Sequence, residues 1–162
     1  MDEKISRILI VCSGNTARSP VGEYLAKFYA QKYKADLYIE SAGEFNAFAY
    51  MQPESQAYLS SKNIDHSDFK PQTLSHSLLK KQDLIITMTE HHKENIINDF
   101  SNIQEIGNKT FTLKEFNGRK GNIIDPYYTN RATYMKVMKE IDNLIEKMVL
   151  KVIDINKTEE NK

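Results

Sequence analysis

Arg7-Ile8-Leu9-Ile10-Val11-Cys12-Ser13-Gly14-Asn15-Thr16-Ala17-Arg18-Ser19-Pro20 carries three structural signals in succession. The run Arg7 to Cys12 is apolar and rich in β-branched residues, the pattern of a strand buried on both faces. Gly14 and Asn15 then force a loop. Ser19 and Pro20 open a helix, with Ser as the cap and Pro in the first turn. Val21, Tyr24, Leu25 and Phe28 follow at helical spacing. A strand that feeds a tight loop and then a helix is the opening unit of an α/β fold.

The rest of the chain continues the alternation. Asp36 to Ser41 reads as a second strand, and a loop with Phe45, Phe48 and Tyr50 follows it. Pro53 opens a short helix through Lys62, and Ser75 to Lys81 is another short helix. Asp83 to Met88 is an apolar third strand, after which Thr89 caps a helix reaching about Asn98. Lys109 to Leu113 is the fourth strand, and Asn117 to Thr129 is a loop containing Gly118, Gly121 and Pro126. From about Asn130 to Ile153 the residues Tyr134, Val137, Met138, Ile141, Leu144, Ile145, Met148 and Val149 keep a 3.6-residue period. The expected fold is α/β: a four-stranded parallel sheet with helices on both faces and a phosphate-binding loop after the first strand. In such sheets ligands bind beyond the carboxyl ends of the strands. One domain spans 1–155, and the polar tail 156–162 is expected to fray.

Composition narrows the function classes. The 162 residues suit one domain, with 40% hydrophobic and 27% charged residues and a formal net charge of zero. That balance gives no general attraction to nucleic acid or anionic lipid. No stretch approaches the roughly 20 apolar residues of a membrane span. Met1 to Lys4 lead directly into the first strand without a signal segment, so the expected compartment is the cytoplasm. There is one cysteine, Cys12, which rules out an internal disulfide and any paired-cysteine zinc or redox site. Glu90-His91-His92-Lys93-Glu94 invites a metal reading, but adjacent histidines on a helix diverge and the i, i+4 pairing of zinc helices is absent. No metal is expected there.

The chemistry concentrates in the first loop. Five residues separate Cys12 from Arg18. Wound between a strand end and a helix start, Ser13, Gly14, Asn15, Thr16 and Ala17 can turn successive amides inward and form an anion nest on a helix N-terminus. Cys12 would lie on its floor, where amides and helix dipole favour the thiolate. Arg18 can hold two phosphate oxygens in a bidentate fork. Ser19 can donate its hydroxyl to the sulfur, and Asn15 tolerates the left-handed backbone such a loop needs.

VCSGNTARSP closely resembles the loop V-C-x-G-N-x-C-R-S-P of the low-molecular-weight protein-tyrosine-phosphatase family, including its protein-arginine-phosphatase branch. The resemblance extends through Ser41-Ala42-Gly43, through Asp83 to Met88 with Thr89 and His92, through Thr112-Leu113-Lys114-Glu115-Phe116, and through Asp125-Pro126-Tyr127-Tyr128. It implies a phosphocysteine mechanism with Cys12 as nucleophile, Arg18 as clamp and Asp125 as proton donor to the leaving group. It makes Tyr127 and Tyr128 an aromatic wall beside the phosphate. It sets Asn15 in a supporting network with Ser19, Ser41 and a downstream histidine. At that histidine's place this chain has Asp68, with His66 nearby. A second departure is Ala17, where many relatives carry a second cysteine.

The implied activity is hydrolysis of phosphotyrosine in proteins. Phosphorylated proteins are the expected partners and inorganic phosphate the product, with no cofactor, because Arg18 and the nest supply the positive field. The sequence sets no oligomeric state. The alternative is protein-arginine phosphatase activity by the same mechanism, since Thr16 stands where that branch has Thr and tyrosine phosphatases have a bulkier Ile. Less favoured are arsenate reduction, which needs further thiols, and a phosphocysteine carrier, which would not need Asp125.

Overall fold

The computed structural model describes residues 3–162; Met1 and Asp2, the first residues of the predicted domain, lie outside the described residues. The elements are β1 (Arg7–Cys12), α1 (Arg18–Lys32), β2 (Tyr38–Gly43), α2 (Pro53–Ser61), α3 (His76–Lys80), β3 (Leu84–Thr87), α4 (Glu90–Asp99), β4 (Thr110–Thr112), α5 (Leu113–Phe116) and α6 (Arg131–Glu160). The strands form one parallel sheet in the order β2-β1-β3-β4. The chain crosses from β1 to β2 on one side and later to β3 on the other. A crevice therefore opens beyond the carboxyl end of β1, where the strand order reverses.

Side-chain alternation along β1 divides the core. Ile8, Ile10 and Cys12 face a cluster with Val21, Leu25, Met138, Ile141, Ile145 and Val149, contributed by α1 and α6. Leu9 and Val11 face the opposite cluster, with Leu78, Leu79, Ile85 and Ile96 from α3, β3 and α4. Both faces of the central strand are covered, as its continuous apolar run predicts.

Several boundaries differ from the sequence reading. β2 begins at Tyr38, whose amide donates to Ser6 O, and it extends to Gly43, which pairs with Cys12. Ala42 and Gly43 are thus strand, not part of the loop after it. β4 ends at Thr112, where a capping box with Glu115 turns the chain into the single-turn helix α5. α6 runs on to Glu160 instead of ending near Ile153, so residues 156–160, expected to fray, are helical. Its apolar stripe continues through Val152, and Asn156 ties it to the start of β1 by exchanging two hydrogen bonds of 2.8 Å with the backbone of Ile5. Finally, α1 starts at Arg18, and its N-cap Ala17 makes no side-chain cap bond. The Ser19 hydroxyl, expected to cap it, is engaged elsewhere.

Candidate active site

Cys12 ends β1 and is 2% exposed. Its Sγ lies 2.9 Å from Ser19 Oγ and 3.4 Å from the Ser19 amide. That amide belongs to the first turn of α1, where helix N–H groups have no intrahelical partner, so the sulfur takes the place of a cap. Ser19 Oγ already accepts from Asn15 Nδ2 at 2.8 Å, which directs the hydroxyl hydrogen to the sulfur.

Asn15 organises the loop from within. It is fully buried with φ of 55°, in the left-handed region. Its Nδ2 also donates to Ser41 Oγ at 2.9 Å, its Oδ1 accepts from the Gln72 amide at 2.9 Å, and Ser41 Oγ in turn donates to Glu23 Oε1 at 2.6 Å. This answers the missing histidine. Asp68 accepts from Tyr24 OH and His66 sits against Ile64 O, so neither reaches Asn15. Gln72 and the Ser41–Glu23 pair complete the network. Gly43, opposite Cys12, is required by close approach, because a Cβ there would lie 2.7 Å from the Asn15 amide nitrogen.

The loop's carbonyls are engaged by its surroundings. Ser13 O accepts from the amides of Glu44 and Phe45, and Thr16 O from that of Gln52. Across a trans peptide the N–H opposes the C=O, so carbonyls held outside leave the following amides turned inward. Ser55 Oγ supports the loop from α2 through Ala17 O at 2.9 Å. It is itself 2.7 Å from Tyr134 OH of α6, a phenol that burial pushes up to about 12.

Arg18 is 3% exposed. Its Nη1 donates to Ile123 O at 2.8 Å and its Nη2 to Ser13 Oγ at 3.2 Å, with Asp125 Oδ2 at 3.9 Å. Asp125 is half exposed, and its Oδ1 accepts from the Tyr127 amide in an Asp-initiated turn. A cavity of about 280 Å³ lies among these groups, bounded by Cys12, Ser13, Gly14, Thr16, Ala17 and Arg18, and by Phe45, Ala47, Phe48, Gln52, Asp125, Tyr127 and Tyr128. A larger open groove of about 680 Å³ along Tyr50, Gln56 and His66 holds no cysteine. Chemistry, not size, selects the site.

The structure thus gathers the predicted site residues into one place, with Asn15, Ser19 and Ser41 behind the cavity wall rather than lining it. The two tyrosines differ from each other. Tyr127 packs on Phe48 with ring centroids 5.6 Å apart, whereas Tyr128, at φ of 73°, is 94% exposed at the rim. Sequence reasoning missed Phe45, Phe48 and Gln52 as lining residues, although the aromatic content of that loop was a usable signal. It also set His92 aside. His92 is 3% exposed and its Nε2 lies 2.9 Å from Ser13 Oγ. Burial first, then the Arg18 and His91 charges, depress its pKa to about 4. Among the described residues, no group of three His, Cys, Asp or Glu side chains is disposed to hold a metal ion.

The family model for low molecular weight phosphotyrosine protein phosphatase matches residues 7–160. The chain belongs to that family. A protein-arginine-phosphatase of Bacillus subtilis (strain 168) is 31% identical over 143 residues, covering 87% of this chain and 93% of the relative. The low molecular weight protein-tyrosine-phosphatase PtpB of Staphylococcus haemolyticus is 32% identical, covering 88% and 96%. Among solved structures, a low molecular weight protein tyrosine phosphatase from T. tengcongensis superposes with a TM-score of 0.83 at 33% identity, covering 90% of this chain and 99% of that one. YwlE from Bacillus subtilis, in a mutant form, also gives 0.83, at 30% identity and 91% and 98% coverage. The parallel α/β sheet, with the only cysteine of the sequence closing its first strand, is the architecture of this cysteine-dependent phosphatase family. Among the described residues no helix is long and apolar enough to cross a membrane.

Proposed function

We propose that this phosphatase hydrolyses phosphotyrosine in proteins through a phosphocysteine intermediate, with Cys12, Arg18 and Asp125 as its catalytic residues. The observation that carries the reading is the convergence on one small cavity of a sulfur held by the Ser19 hydroxyl and amide, an anchored guanidinium and a rim carboxyl group. The Cys12 thiolate attacks phosphorus while the P–O bond to the tyrosine breaks. Asp125, in its acid form, protonates the departing phenolate oxygen. Arg18 and the loop amides hold the equatorial oxygens, whose charge peaks in the transition state. In the second step the Asp125 carboxylate takes a proton from water as that water attacks phosphorus. The P–S bond breaks, the Ser19 hydroxyl receives the returning thiolate, and inorganic phosphate leaves.

Phe45, Phe48 and Tyr127 form apolar walls suited to an aryl ring. One observation favours phosphoarginine instead. Thr16 lines the same cavity with its Oγ1 3.5 Å from Gln52 Nε2, which gives the wall a polar patch able to meet a guanidinium. Phosphotyrosine and phosphoarginine forms of one peptide compared by kcat/KM decide between them. The expected ratio favours phosphotyrosine, and a ratio above one for phosphoarginine reverses the assignment. We place the reaction in the cytoplasm, where a lone catalytic thiol stays reduced.

A further inference from the structure

His92 stands outside the cysteine loop, on the first turn of α4, yet its imidazole enters the wall of the site. Two of its surroundings bear on where its proton sits. Nδ1 is buried and has no hydrogen-bond partner among the described residues. Nε2 faces two oxygens, Ser13 Oγ at 2.9 Å and Glu44 Oε1 at 3.7 Å. A proton on Nδ1 would orphan a buried N–H and turn the Nε2 lone pair toward a carboxylate. A proton on Nε2 leaves only an acceptor unpaired, the milder fault, and gives both oxygens a donor.

We propose that His92 is a positioning residue for the phosphatase reaction: as the neutral Nε2–H tautomer it donates to Ser13 Oγ and so fixes the oxygen that anchors the Arg18 guanidinium. Ser13 Oγ then accepts two N–H groups, from His92 and from Arg18 Nη2 at 3.2 Å. With Nη1 held by Ile123 O, the guanidinium is pinned on both arms and its remaining N–H groups are kept for the phosphoryl oxygens. A neutral ring makes this bond without setting a second cation beside Arg18. Burial and the Arg18 charge hold it so. Glu44 does not act through His92 alone, because its other oxygen receives Asn95 Nδ2 at 2.7 Å.

The proposal rests on the hydrolytic reading above, and the tests separate the two. Wild-type turnover of p-nitrophenyl phosphate is measured first; none at all removes both readings. Given turnover, His92→Leu is expected to lower kcat on the order of tenfold while KM changes less than about twofold, because a loosened guanidinium costs most where oxygen charge is greatest. Vanadate inhibition should weaken in parallel. His92→Gln, whose amide N–H can reach Ser13, should return to within about threefold of wild type. A wild-type kcat in His92→Leu, or a Gln variant as impaired as Leu, overturns the positioning role and leaves the hydrolase intact. Should the Leu variant fail to fold, nitrogen-15 NMR of the wild-type protein decides: protonated Nε2 is expected, and protonated Nδ1 refutes the arrangement.

Discussion

Cys12 and its neighbours show how single side chains divide the work. Ser19 gives up its helix-capping role to put both its hydroxyl and its amide on the sulfur. Cys12→Ser should therefore abolish turnover while phosphate still binds, measurable by isothermal titration, because the amides and Arg18 are untouched. Asp125 touches Arg18 only at 3.9 Å and stands half exposed. Its replacement by Ala should lower kcat by about a hundredfold or more with KM nearly unchanged, as expected of a proton donor used only in the transition state. Ala17 leaves the only thiol in the sequence without a neighbour that could trap its sulfenic acid. Hydrogen peroxide should inactivate the protein with poor recovery in dithiothreitol, and mass spectrometry should find sulfinic or sulfonic acid at Cys12. Full recovery without such products would refute this.

At the scale of elements, the site is where several ends meet. β1 delivers Cys12, the first turn of α1 delivers Arg18 and Ser19, and the stretch before α6 delivers Asp125 and Tyr127. The junction of β4 and α5 depends on a reciprocal cap: Thr112 Oγ1 accepts from the Glu115 amide at 2.9 Å and Glu115 Oε1 accepts from the Thr112 amide at 3.3 Å. Thr112→Ala should lower the free energy of unfolding by about 1 kcal/mol, read from urea denaturation, without altering kcat. The cap lies away from the cavity, so a change in activity would contradict this division.

Across the whole molecule, α6 closes the α1 side of the sheet and carries the buried Asp142, which receives Tyr29, Tyr58 and Lys62 from α1 and the α2 region. His92 couples overall stability to pH. Its folded pKa of about 4 lies below its ordinary 6.5. Between those values the unfolded chain binds the extra proton, so this contribution rises with pH, is complete above the ordinary value, and is lost as pH falls toward the folded one. The wild-type minus His92→Gln difference in unfolding free energy should therefore change across that window, by an amount on the order of 3 kcal/mol. An identical pH slope in both proteins would refute it.

Local pattern was enough for the elements of the sheet and for the cysteine loop. A β-branched run needs burial on both faces, a glycine–asparagine break needs a turn, and a thiol six places before an arginine, set between a strand and a helix, suits an anion nest. Those demands are written in neighbouring residues, which is why β1, β3, the long amphipathic face of α6 and the place of Cys12 and Arg18 were legible. Boundaries were read less well wherever a side chain had two possible partners, as at Ser19 and Thr112. Of what the chain brings together from afar, only the places of Asp125, Tyr127, Tyr128 and Ser41 were legible, and those through the family resemblance rather than through local pattern. Gln72 at Asn15, His92 at Ser13 and Phe48 at Tyr127 are contacts made only when a parallel sheet brings the ends of separate strands to one edge, and only the folded geometry decides which of many polar or aromatic residues arrives there.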